Sequence, residues 1–188
     1  MENKVSLKEI VVLAMISVLM GVVFTGLDSI YEPLTALAGP FGGAIIYGIY
    51  LISALLSMYI VRKPGAGLIG SLFTGVVNLL MGSPYGIHII VASALQGIGV
   101  EIPVFFGKYK KFNMLNMSIG AVLAMILVTI RDYFVFGFGL YGNLIPAIFL
   151  VRTISSIVFG AGLTIVIGKA LLSTGVLNGF KIADKIGE

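Results

Sequence analysis

Few side chains in this sequence could do chemistry, and most of those sit inside long apolar runs. Glu101, Arg131, Asp132 and Arg152 are the ionisable residues at such positions. A charge at mid-bilayer costs about 2.5–3.5 kcal/mol on insertion scales, so each needs a partner or a purpose. Two polar stripes accompany them. Gly67, Ser71, Thr74 and Asn78 recur at helical spacing, as do Tyr85, His88, Ala92, Gln96 and Gly99. The second stripe grades from aromatic and imidazole groups to an amide. That gradient suits a polar, ring-shaped ligand, with amides reading ring nitrogens and a tyrosine stacking on the ring. The candidate ligand-binding residues are therefore Asn78, Tyr85, His88, Gln96, Asp132 and Tyr133, with Glu32 and Ser71 beside them. Structural readings stand next to the functional ones. Gln96 also suits an interhelical hydrogen bond, His88 an interfacial contact, and the Tyr133–Phe138 aromatics a membrane-interface belt. Glu101, just before Pro103, reads as structural or as a partner contact.

The elements that must position these residues are membrane helices. Of the 188 residues, 59% are hydrophobic and 11% charged, against about 25% charged in soluble domains. Six spanning helices are expected, at about 7–27, 41–61, 64–82, 85–106, 115–138 and 144–172, in one domain over 1–188. Near-immediate links at 62–63 and 82–84 force tight antiparallel hairpins. Pro64 opens the third helix, whose length matches a hydrocarbon core of about 30 Å. The first span is too long for a signal peptide and has no small-residue cleavage site after it. Lys4, Lys8, Arg62, Lys63, Lys108, Lys110, Lys111, Lys169, Lys181 and Lys185 fall at alternate ends of the spans. The positive-inside rule then puts both termini in the cytoplasm. The fold class is an all-α integral membrane bundle, multi-pass in the plasma membrane. The outer link at 28–40 is the long one, and its charges, Asp28 and Glu32, are negative. It reads either as a lid over an outward-facing site or as a solvated connector.

This topology places Asp132 and Arg152 at similar depth on the fifth and sixth helices, where they form a structural ion pair or face a ligand. Small residues repeat at four-residue spacing as Ser17 and Gly21 on the first helix and as Ser156 and Gly160 on the sixth. Such faces dock helices, within the bundle or in another subunit.

Several classes are excluded. With no cysteine and one histidine, thiolate chemistry and an ordinary zinc site are absent. No phosphate loop, His-Glu-x-x-His or Gly-x-Ser-x-Gly motif occurs, so ATP hydrolysis and the common hydrolases drop out, and no cofactor is expected. The basic residues are topology anchors and form no nucleic-acid platform.

The chain resembles the substrate-binding S components of energy-coupling factor (ECF) vitamin transporters, in particular the YkoE family linked to thiamine and its hydroxymethylpyrimidine precursor. The resemblance is carried in order by Leu7-Lys8-Glu9-Ile10-Val11, Arg62-Lys63-Pro64-Gly65-Ala66, Gly82-Ser83-Pro84-Tyr85-Gly86 and Gln96-Gly97-Ile98-Gly99-Val100-Glu101. Asp132-Tyr133-Phe134, Gly137, Gly139 and Thr174-Gly175-Val176-Leu177-Asn178 complete it. It implies a subunit that binds its vitamin from outside and joins a membrane coupling subunit and two cytoplasmic ATPases. It also implies toppling in the bilayer to release the ligand inside. Where the family tends to carry carboxylates on the third helix, this chain has Ser71 and Asn78, which favours a pyrimidine-like ligand over thiamine itself. The Ala-x-x-x-Ala partner motif is missing from the first helix, where Ser17 and Gly21 stand in its place. A self-contained permease or channel for a polar solute is the alternative.

Overall fold

The computed structural model describes residues 5–183, and they are helical or in turns, with no strand among them. Lys4 and Lys185 lie outside the described residues. The helices are α1 (Leu7–Ala38), α2 (Pro40–Ile46), α3 (Ile52–Val61), α4 (Ala66–Leu80), α5 (His88–Phe106), α6 (Met114–Val135), α7 (Ile145–Ser155) and α8 (Leu163–Ser173). Five runs are long and apolar enough to cross a membrane: Leu7–Ala38, Pro40–Val61, His88–Phe106, Met114–Val135 and Phe138–Ser173. The α4 helix is also apolar but, at 15 residues, shorter than a standard span.

The first helix corrects the sequence expectation. It continues through the stretch read as the outer link, to Ala38, with Pro33 inside it. Buried Asp28 holds this extension to the bundle. It accepts hydrogen bonds from the Tyr50 hydroxyl at 2.9 Å and the Ser83 hydroxyl at 2.7 Å. The link shrinks to Gly39, whose φ of 61° suits glycine. Directly beyond it, Gly42 lies so close to the Leu34 backbone that a Cβ would not fit. The stretch read as a lid or a solvated connector is thus a helical wall of the bundle.

Two expected straight helices change pitch. A 3-10 turn (Tyr47–Leu51) joins α2 to α3, and a π segment (Ser156–Gly162) joins α7 to α8. The irregular pieces face each other. The Ser155 hydroxyl accepts from Gly48 N–H at 2.9 Å and donates to the Ile45 carbonyl at 2.6 Å. It thereby satisfies backbone groups that the pitch change frees, as a lipid-embedded chain requires.

All ten residues of α3 are buried, which makes α3 the axis of the core. The α4 stripe packs against its neighbours. Ser17, Ser53 and Thr74 hydroxyls converge on the Gly70 carbonyl at 2.9, 3.3 and 3.0 Å. Close approach of α5 to α6 depends on Gly99, where a Cβ would collide with the Ala124 backbone.

The basic end is tied together separately. Lys63 pairs with Glu9 at 2.7 Å. Arg62 lies over the rings of Tyr59 and Phe112. Lys8 donates to the Asn178 carbonyl at 3.0 Å and sits over Phe180, anchoring a tail whose Leu177, Phe180 and Ile182 are buried. The Glu101 carboxylate accepts from Gly65, Gly67 and Leu68 N–H groups at 3.0, 3.1 and 3.3 Å. It therefore caps the N-terminus of α4, which has no side-chain cap of its own.

Candidate ligand site

At the opposite end from these lysines, the helices enclose a cavity of about 350 Å³. That volume is in the range of small-molecule sites. The α1 extension supplies Phe24, Asp28, Tyr31 and Glu32, and the 3-10 turn supplies Tyr47 and Tyr50. Asn78 comes from α4, Tyr85 from the following link, and Gln96 from α5. Arg131 and Asp132 end α6, Phe138 and Tyr141 follow it, and Arg152 closes the wall from α7.

The amides are placed to read a ligand. Asn78 is 1% exposed, and its Oδ1 accepts from the Thr25 hydroxyl at 2.9 Å, so its NH₂ is left as donor. Gln96 is buried, and its amide bonds to no other described residue. Aromatic rings line the space between. Tyr85 meets Tyr31 edge-on with centroids 6.1 Å apart, and Phe136 at 6.0 Å. Burial first, then Tyr31 and the Asp28, Glu32 and Asp132 carboxylates, push the Tyr85 phenol's pKa up. It stays a protonated donor in its link.

Asp132 joins two guanidiniums. Its Oδ1 takes Arg131 Nη2 and its Oδ2 takes Arg152 Nη1, each at 2.9 Å. Arg152 also donates to Thr129 Oγ1 at 2.9 Å and lies 4.6 Å from both the Tyr47 and Phe138 ring centroids. Arg131 reaches the His88 carbonyl at 3.2 Å and covers the Phe136 ring. The two residues expected at equal depth are brought into contact, and Arg131 makes the pair a triad.

Of the residues singled out from sequence, Asn78, Tyr85, Gln96, Asp132 and Glu32 line the cavity. Three others do not. Ser71 is buried between helices, donating to the Ser93 carbonyl at 2.8 Å. His88 is exposed, its ring edge-on to Phe136. The register that put His88 beside Tyr85 assumed a helix from residue 85, but α5 begins at His88. Tyr133 is 52% exposed. With Asp132 turned inward, the next residue lies about 100° around the helix and faces out. The proposed docking residues are also spent internally. The Ser17 and Gly21 face packs on α4, and Gly21 would clash with Val77 if it bore a Cβ. Ser156 donates to the Arg152 carbonyl, and Gly160 packs on Gly48, Leu51 and Leu55. All four are buried within the chain and present no surface to another subunit.

Sequence reasoning missed Phe24, Tyr47, Tyr50 and Tyr141 as lining residues. Tyr47 and Tyr50 carried a usable signal, since two phenols three residues apart in an apolar run each need a polar partner.

An apolar helical bundle enclosing a polar, aromatic cavity defines a multi-pass membrane protein that receives a small solute. Its backbone is similar to one reported as "Crystal structure of an S-component of ECF transporter", with a TM-score of 0.93 and 28% identity over 97% of this chain and 93% of that one. The chain is 31% identical over 183 residues to the "Putative HMP/thiamine permease protein YkoE" of Bacillus subtilis (strain 168), covering 95% of this chain and 90% of the relative. Residues 8–127 match the family described as "ABC-type cobalt transport system, permease component". The protein is a substrate-specific subunit of the ECF transporter class. It belongs to that permease-component family and, within it, groups with YkoE.

Proposed function

We propose that this subunit binds thiamine or its hydroxymethylpyrimidine precursor in the cavity bounded by Asn78, Tyr85, Gln96 and Asp132. A separate coupling subunit and two cytoplasmic ATPases then drive its import. The observation that carries this reading is the pairing of the unspent Asn78 NH₂ and Gln96 amide with a phenol-rich wall in one cavity. An aminopyrimidine needs both donors and acceptors at its edge and a ring face to pack on. The name of the B. subtilis relative points to the same ligands. A metal ion is a poorer fit, because the described residues contain no group of three His, Cys, Asp or Glu able to hold one.

The whole chain, 1–188, acts as a single membrane domain with six spans and cytoplasmic termini. Supporting this, Lys8, Arg62 and Lys63 are tied into one end of the bundle, where anionic lipid would favour them, and the cavity opens at the other. The short α4 completes the sixth crossing.

Titration of the purified full-length chain with thiamine and hydroxymethylpyrimidine by calorimetry tests the ligand. Saturable binding of one of them, without uptake into vesicles holding the chain alone, is expected. Absence of binding by both overturns the ligand reading. Concentrative uptake by the chain alone overturns the dependence on partners and favours a self-contained permease.

A further inference from the structure

The cavity wall is electrically divided. On the α1 side stand Asp28 and Glu32, with no cation on that helix lining the cavity. On the α6 and α7 side, two guanidiniums share one carboxylate. Asp132 spends one oxygen on Arg131 and the other on Arg152, so one positive charge is left over. Arg152 is 6% exposed, and the nearest other carboxylates on the cavity wall belong to the opposite side. At this cationic end Arg131 Nε, Arg152 Nε and the Tyr47 hydroxyl are buried without a partner among the described residues. All three residues belong to the cavity wall. Buried donors and a buried net charge are unfavourable unless something answers them. Paired guanidiniums with an adjoining phenol hydroxyl match an oxyanion with several acceptor oxygens.

We propose that the ligand enters as a phosphate monoester. Its phosphate sits at the Arg131–Asp132–Arg152 triad beside Tyr47, while the ring occupies the Asn78 and Gln96 side. This rests on the aminopyrimidine reading of the same cavity and adds the anionic group to it. The acidic wall at Asp28 and Glu32 then faces the amino or cationic end of the same molecule, so the bound ligand is bipolar along the axis of the cavity. Glu32, exposed at the opening, repels a free anion that lacks that end.

The test is a set of titrations of the full-length chain in detergent with thiamine, hydroxymethylpyrimidine, the monophosphate of each, and inorganic phosphate. At least one monophosphate should bind tenfold or more tightly than its parent alcohol, roughly the effect of one added charge-assisted hydrogen bond. Inorganic phosphate should bind weakly or not at all. Arg131→Gln should weaken the ester by at least about tenfold more than the parent alcohol and so abolish the preference for the ester. Arg131→Lys, which keeps the charge and loses the fork, should retain part of the preference and gives a reading if the Gln variant fails to fold. Parent alcohols that bind as tightly as their esters overturn the phosphate assignment and leave the vitamin reading standing. Equal weakening of ester and alcohol in the Arg131 variants overturns it as well. Failure of all four organic probes to bind overturns both readings.

Discussion

Removing the Asp132 carboxylate should destabilise the ligand-free protein chiefly through what it strands. Asp132 is 9% exposed and Arg152 6%, so neither charge has much water to fall back on. Breaking a buried pair by deleting one partner costs about 3–5 kcal/mol. Arg152 would keep Thr129 Oγ1 at 2.9 Å and the faces of Tyr47 and Phe138. Such ring contacts are worth about 0.5–2 kcal/mol each and soften the loss. Asp132→Ala should therefore cost about 3 kcal/mol, the low end of that range. Arg152→Met should cost less, about 1–2 kcal/mol, because Asp132 still holds Arg131 at 2.9 Å. The double variant should lose about 2 kcal/mol less than the sum of the singles, since it strands no unpaired Arg152 charge. The assay is equilibrium unfolding in a mild detergent titrated with a denaturing one, followed by far-UV circular dichroism without ligand, so that binding linkage does not enter. Losses that add to within about 0.5 kcal/mol would refute the argument, because they would mean that the pair carries no coupling energy.

Other consequences are as direct. Asn78→Ala and Gln96→Ala should each weaken binding of the pyrimidine ligand by roughly five- to a hundredfold in calorimetry, the effect of one buried hydrogen bond. His88→Ala and Tyr133→Ala should leave affinity within about twofold, since neither side chain lines the cavity. Glu101→Gln should lower the unfolding free energy by about 1–3 kcal/mol by weakening the cap on three backbone N–H groups, with ligand affinity unchanged. In this cysteine-free chain, a cysteine introduced at position 39 should react with an impermeant thiol reagent from outside the cell, and one at position 110 should be protected.

Much of this molecule was legible without coordinates. The scarcity of charge and the length of the apolar runs established an all-helical membrane protein. The short links required that α3, α4 and α5 lie close in space. Helical rise and alternating direction put Asp132 and Arg152 at one depth, where they meet. Asn78 and Gln96 stood out as buried amides on apolar helices, and both reach the cavity.

Three matters waited for the tertiary structure. The polar stretch from Asp28 to Glu32 read as a loop because its residues suit water, yet Tyr50 and Ser83, distant in sequence, hold Asp28 inside a continuing helix. The four small residues read as docking faces were already filled by the chain's own helices. His88 sat on a plausible stripe and Tyr133 next to Asp132, but neither lines the cavity. The physical reason is common to all three. Spacing along a helix tells which side chains share a face, but not where that face points. In a soluble protein the contrast between apolar core and water settles the rotation of each helix. In a membrane both the lipid and the core are apolar, so rotation is decided by packing and by a few polar contacts between residues far apart in the chain.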